Sequence, residues 1–498
     1  MHSDSTRAAL AEIESILTDA SFGRQVEMVL SCPDTDTYRA ASSDGSVTFR
    51  REAVDGRYRY AVAGTTGLDP LADRSTARFD DHRTERASRF PARSDNTYPH
   101  GFDSIAQFFD GTHAPDAVVL HTAGHRFNEH LGQHGSLGVV QARGPFIAAG
   151  RGIRNLGPLD RSTRTVHVAP TIAALMGLNP HPHGVGADGE HRPDALLRRQ
   201  DGDPEAAILS GDRAEHVVVF LLDGCNANLL HDVMSAGEAP NISALAERGT
   251  QYRHGLMASL PTATLANHTT AVTGAHPGHS GVLHNRWLDR GTGRTPDLLE
   301  LDQMISAMRH LDPCVETIFQ AIQRSRPGAF STASFEFCDT GASFSSFGLL
   351  RDGHPPTLPE GRVSHLDADA AATSHAYRFM SGVDHTSAAH TIAAWERTEG
   401  NPLPALSWCS FALTDEAGHE SGPHGEAARA AVRDTDGRIG DVVAAVERSG
   451  LIDRTAFFVI ADHGMEQCDP TNDLLWNDAL GEAAAPHLDL DGFIYLRR

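Results

Sequence analysis

Three short segments each set a carboxylate just beyond an apolar run, and two of them add a histidine. They are LLDG with Asp223, TDEAGHESGPHG with Asp415 and, four residues later, His419, and ADHGME with the adjacent Asp462 and His463. Asp oxygens and His nitrogens form the donor set of zinc and similar dications, and a catalytic site leaves coordination positions open for water or substrate. A fourth segment, LPTATLANHTTAVTG over 260–274, carries five threonines and one histidine but no lysine, carboxylate or cysteine. An alcohol is a poor nucleophile at neutral pH unless a base or a metal ion lowers its pKa. Taken singly the signals are weak: with 29 histidines an Asp-His neighbour is common, and an Asp after a strand is often only a helix cap. Three such strand ends, with a threonine-rich turn after the first, point to one shared metal-dependent site.

The elements that must position these residues are legible as apolar, β-branched runs that stop abruptly: EHVVVFLLDG, ALSWCSFALTDEAGHE, RTAFFVIADHG, PDAVVLHTAGH and GPFIAAGRG. Such runs fit strands buried on both faces of a parallel sheet. Helical patterns lie between them, as in APNISALAERG and EAARAAVRDTDGRIGDVVAAVERSG. The alternation predicts an α/β fold, a doubly wound, mostly parallel sheet flanked by helices, with a smaller cap. In such sheets ligands gather beyond the carboxyl ends of the strands, where Asp223, Asp415, Asp462 and His463 stand. Stretches 66–100 and 350–376 read as loop or cap segments, and 186–214 as a polar linker.

The chain has 498 residues, 40% apolar and 21% charged, with a formal net charge of −23. That suits a globular protein and gives no electrostatic reason to bind a nucleic acid polymer or an anionic membrane. All the basic side chains other than histidine are arginine, and the six cysteines are dispersed without a CxxC pair. No basic-then-apolar leader and no membrane-length apolar run is present, so the expected location is cytoplasmic.

VVVFLLDG, APNISALAERGT, LPTATLANHTTAVTGAHPGHSGVLHN, TDEAGHESGP and FFVIADHGM, taken in order, resemble the nucleotide pyrophosphatase/phosphodiesterase branch of the alkaline phosphatase superfamily. The resemblance implies an alkaline phosphatase-like core and two Zn²⁺ ions, with Mn²⁺ as the alternative for Asp/His ligands. It makes Thr264 the nucleophile, passing through a phosphothreonine intermediate. It puts Asp223, Asp462 and His463 on the metal that holds the Thr264 oxygen, and Asp415 and His419 on the other. Asn285 resembles the family's asparagine that hydrogen-bonds a phosphoryl oxygen. His268, near Thr264, is expected to pack behind the nucleophile turn.

The second metal of this family needs a further histidine, from a late His-Gly element followed by a strand and a helix. After residue 466 there is only His487, without the glycine, whereas EHLGQHGSLGVVQARGPFIAAGRG and VAPTIAALMGL, early in the chain, resemble that closing segment. The expectation is a circular permutation with His134 as the ligand and His487 as the alternative. It gives cap elements over 1–100 shared with the C-terminal end, the permuted closing segment over 101–195, a linker over 196–214, the nucleophile-bearing core over 215–290, a specificity insertion over 291–404 and the remaining metal-binding core over 405–498. Where nucleotide-cleaving members have Lys before the nucleophile and an aromatic after it, this chain has Ala263 and Leu265. The expected substrate is a small phosphodiester, pyrophosphate or phosphonate. Phosphonate hydrolysis of the phosphonoacetate hydrolase kind and phosphomonoester hydrolysis are the alternatives within the enzyme class, and an inactive phosphate-ligand sensor is the alternative outside it.

Overall fold

A computed structural model describes residues 4–54, 57–88, 95–123, 130–354, 363–471, 476–483 and 485–497. Parts of the two stretches read as loops, 89–94 and 355–362, lie outside the described residues. The centre is an eight-stranded sheet in the order Phe344–Ser345, Ser331–Ser334, Leu406–Phe411, His216–Leu222, Thr455–Ile460, Phe146–Gly150, Gly249–Tyr252, Gly157–Leu159. The first five strands are mutually parallel. Leu406–Phe411 and Thr455–Ile460 are buried at every position, and His216–Leu222 at all but its first. Alternate residues of the central strand serve opposite layers, which is why the run is apolar throughout rather than every second residue. Val217, Val219 and Leu221 pack with Ile172, Leu175 and Phe319, while Val218, Phe220 and Leu222 pack with Leu230, Ile242 and Val442.

Two strand assignments differ from expectation. Phe146–Gly150 belongs to this sheet but runs antiparallel to both neighbours. Ala117–His121 lies in a second, antiparallel sheet, between Val26–Asp34 and Phe493–Leu496, which continues outward through Thr37–Ser42, Gly45–Val54 and Arg57–Gly67. Its run is fully apolar because Val118 and Leu120 face one core while Ala117 and Val119 face another, beneath the helix Asp4–Leu17. Two-sided burial erases the alternation that marks an antiparallel strand. The outer edge beyond Phe493–Leu496 is His487–Leu490, so both ends of the chain share one sheet.

The stretch 196–214 has no helix or strand of its own, yet Leu197, Ile208 and Ala214 are core residues. Within 291–404, Ser331–Ser334 and Phe344–Ser345 extend the central sheet and the helix His375–Glu396 packs against it, so this stretch builds core as well as surface. Among the described residues no helix is long and apolar enough to cross a membrane.

Candidate metal centre

The carboxyl ends of the three central strands converge. Asp223 follows His216–Leu222 directly, Asp462 and His463 follow Thr455–Ile460, and Leu406–Phe411 leads into the helix Leu413–Ser421, which presents Asp415 and His419 one turn apart. Gly224, at φ +59°, lets these segments meet: a Cβ there would lie 2.2 Å from Asp415 Oδ1.

Thr264 is the first residue of the helix Thr264–Thr273, and Ala263 occupies the capping position. Its hydroxyl therefore caps nothing. Oγ1 lies 3.5 Å from Asp223 Oδ1 and 3.3 Å from His463 Nε2. His463 Nε2 is in turn 3.6 Å from Asp223 Oδ1 and 3.1 Å from Asp462 Oδ2. Beside this group, His419 Nε2 lies 3.4 Å from Asp415 Oδ2, and His134 Nε2 lies 3.7 Å from Asp415 Oδ1 and 3.2 Å from His419 Nε2. Gly132–Gln133, paired with Glu466–Gln467, delivers His134 to this place. His487 lies elsewhere, in the hairpin, with Nδ1 on Ala485 O.

The tautomers follow from the backbone. Nδ1 of His134, His419 and His463 faces the carbonyl of Thr262, Gly132 and Gly464, at 2.8, 2.8 and 2.9 Å. A carbonyl only accepts, so each Nδ1 carries a proton and each Nε2 is turned inward, where it offers a lone pair whenever the ring is neutral, as in metal sites where an outer partner orients the ring. Two such lone pairs 3.2 Å apart repel unless a proton or a cation lies between them. Burial first, and then His463, push His134 well below the ordinary histidine range, which keeps it a neutral donor. Burial would also lower His419, but the facing Asp415 outweighs it and holds His419 at about 9. Burial and the neighbouring Asp462 and Asp415 push Asp223 well above the carboxylate range. Asp415 Oδ1 and Asp462 Oδ2 are buried with no hydrogen-bond partner. Three carboxylates, three imidazoles and two orphaned oxygens, with Asp223, Asp415 and His463 close enough to join the two groups, fit divalent metal binding.

The family described as type I phosphodiesterase/nucleotide pyrophosphatase matches residues 217–497. The chain belongs to this family. A pyrophosphatase/phosphodiesterase of Schizosaccharomyces pombe, itself uncharacterized, is 25% identical over 291 residues, covering 56% of this chain and 51% of the relative. Human ectonucleotide pyrophosphatase/phosphodiesterase family member 7 is 24% identical over 264 residues, covering 53% of this chain and 51% of the relative. The chain thus spans about half the length of the curated relatives it matches. Among solved structures, murine ectonucleotide pyrophosphatase/phosphodiesterase 5 is similar at TM-score 0.36 and 20% identity, over 51% of this chain and 58% of that one. Phosphonoacetate hydrolase from Sinorhizobium meliloti is similar at TM-score 0.34 and 18% identity, with the same coverage. The family match includes Asp223, Thr264, Asn285, Asp415, His419, Asp462 and His463; His134 precedes it.

This site also holds residues whose contacts the sequence did not reveal. His268 was expected only to pack, yet its Nε2 stands 3.9 Å from both Asp223 Oδ2 and Asp462 Oδ2, while Nδ1 meets Glu336 Oε2 at 2.9 Å. The available signal was its spacing of four from Thr264, which puts both on one helix face. Glu336 gave none. Its carboxylate also accepts from Ser410 Oγ and the Cys338 amide, each at 2.9 Å. Asn285 lines the cavity shared by His134 and His419, and its Oδ1 takes a long 3.5 Å bond from the Leu265 amide.

Proposed function

We propose that this chain is a metal-dependent phosphoester hydrolase of the phosphodiesterase/pyrophosphatase type, with Thr264 as nucleophile. The observation that carries it is the approach of the Thr264 hydroxyl to Asp223 and His463, in a chain of this family. Asp223, Thr264, Asp462 and His463 would hold one zinc ion, and Asp415, His419 and His134 a second. When bound, such a pair supplies Lewis acidity that lowers the pKa of an alcohol or water and stabilises charge on oxygen.

Thr264 Oγ1 attacks phosphorus in line. One P–O bond forms to the threonine and the P–O bond to the leaving alcohol or phosphate breaks, leaving a phosphothreonine that water hydrolyses to regenerate the hydroxyl. With its Oδ1 engaged by the Leu265 amide, Asn285 directs its NH₂ toward a non-bridging oxygen. A small phosphodiester, with a single negative charge, is favoured over pyrophosphates, phosphomonoesters and phosphonates that carry more. The chain has no lysine, and no arginine is among the described residues that line the cavity.

We also infer that the chain order is circularly permuted relative to the family. Support comes from the approach of His134 to Asp415 and His419 from ahead of the matched segment. Six free cysteines suit a reducing compartment such as the cytoplasm.

The test is hydrolysis of bis-p-nitrophenyl phosphate beside p-nitrophenyl phosphate by zinc-loaded protein. Diester cleavage lost in both Thr264→Ala and His134→Ala is the expected result. Faster monoester cleavage would overturn the substrate class, and tight zinc binding without turnover of either ester would make the chain a sensor.

A further inference from the structure

We infer that Asp491 is a specificity-determining residue: its carboxylate, on the lining of the cavity beside the metal centre, favours singly charged phosphodiesters over more highly charged substrates, pyrophosphates and phosphomonoesters alike. This rests on the proposed function.

Asp491 and Gly492 form the two-residue turn between His487–Leu490 and Phe493–Leu496, in which Leu490 pairs with Phe493. Both turn residues have positive φ, +53° and +94°, as favoured two-residue hairpins do. A Cβ on Gly492 would stand 2.8 Å from the Val119 carbonyl, so the turn is pressed against the strand Ala117–His121. The cavity of about 240 Å³ has His134 and His419 on its lining together with His284, Leu299, Asp491 and Phe493. Among the described residues that line it, Asp491 is the one carboxylate and none is an arginine.

Arg286 is the cation in contact with Asp491, and it is shared. Its Nη1 is 3.5 Å from Asp491 Oδ2, while Nε and Nη2 lie 3.0 and 2.6 Å from Asp297 Oδ2. Among the described residues, two carboxylates against one guanidinium leave this cluster with a net negative charge. His284, whose ring centroid is 5.0 Å from that of Phe493, does not offset it, because burial pushes it down to about 4. A phosphodiester brings one negative charge, whereas a phosphomonoester carries nearly two at neutral pH. The Asp491 side chain is 44% exposed, so solvent screens the repulsion and an effect of about fivefold on relative rates is expected.

The experiment compares kcat/KM for p-nitrophenyl phosphate and bis-p-nitrophenyl phosphate in wild type, Asp491→Asn and Arg286→Gln at low and high ionic strength. Asparagine tolerates the same positive φ, so the turn survives the change. At low salt the monoester-to-diester ratio should rise about fivefold in Asp491→Asn and fall in Arg286→Gln, and high salt should narrow the wild-type difference. An unchanged ratio in Asp491→Asn, or equal losses on both substrates in both variants, overturns the inference while diester cleavage by wild type upholds the proposed function. A wild type that cuts neither ester overturns both.

Discussion

The helix that carries Asp415 and His419 has no capping side chain of its own, because its N-cap residue is Ala412. The cap comes from Asp384, whose carboxylate on the helix His375–Glu396 accepts the Ala412 amide at 2.7 Å and the Leu413 amide at 3.3 Å. Asp384 and Arg438 are both fully buried, with Arg438 Nη1 4.0 Å from Asp384 Oδ2. Substituting Asp384→Ala removes a cap worth about 1 kcal/mol. It also removes the carboxylate facing the buried Arg438, whose Nη2 keeps its bonds to Ser364 O and Ser381 Oγ. That costs about 3 kcal/mol when Asp384 is ionised, the low end for a broken buried pair, because the contact is long and burial raises Asp384 to about 7. The sum is about 4 kcal/mol. Asp384→Asn keeps an acceptor for the amides and loses only the charge, so about 2–3 kcal/mol is expected. Urea denaturation of metal-free protein, followed by circular dichroism, reads both values. Chelator competition should show weaker metal binding in the order wild type, Asn, Ala, since the first turn positions Asp415. If Asn destabilises more than Ala, or if both lie within about 0.5 kcal/mol of wild type, the buried pair does not anchor this helix.

Thr264→Ala should lower diester hydrolysis by at least about a thousandfold, with zinc content by elemental analysis still near the wild-type value because the carboxylate and histidine donors remain. His134→Ala should lose about one metal equivalent on dialysis and His487→Ala none; the reverse result would remove the permuted ligand. Burial pushes Glu466 up to about 8, although Gln141 Nε2 donates to it at 2.8 Å. Between the ordinary value of 4.5 and about 8 the unfolded chain has released this proton and the folded chain still holds it. Stability therefore falls as pH rises through that window, by at most about 5 kcal/mol from this group. Glu466→Gln should flatten the decline in urea midpoint between pH 5 and 8, and a slope equal to wild type would show that another group is responsible.

The donors at strand ends were readable because a parallel strand buried on both faces is a continuous apolar run, and its last residue is forced to the carboxyl edge of the sheet. The same rule misplaced Ala117–His121, since periodicity reports burial and not the direction of the neighbouring strand. Asp384, Glu336 and the His268 contacts were not readable: each is a buried polar group whose partner comes from a distant segment, and no local pattern marks such a pairing. Thr264 shows the limit in the other direction. Its type suits a helix cap, but the cap position falls on Ala263, so the hydroxyl is free to face Asp223 and His463.

His134 joins these arguments. It lies 285 residues before His419, and the ring nitrogens of the two meet at 3.2 Å. No spacing rule reaches across that distance. The backbone supplies the connection instead. Gly132–Gln133 pairs with Glu466–Gln467, just beyond His463, the Leu131 amide donates to the His419 carbonyl at 2.7 Å, and Gly135 bridges to Thr262, two residues before Thr264. A Cβ on Gly132 would stand 2.4 Å from the Gly418 carbonyl, so only glycine fits this approach. The turn that carries His134 is thus tied to three of the four other segments of the site at once, and its imidazole reaches the centre with its tautomer already set by the Thr262 carbonyl. A loop histidine without a role at this site would have no need of such anchoring.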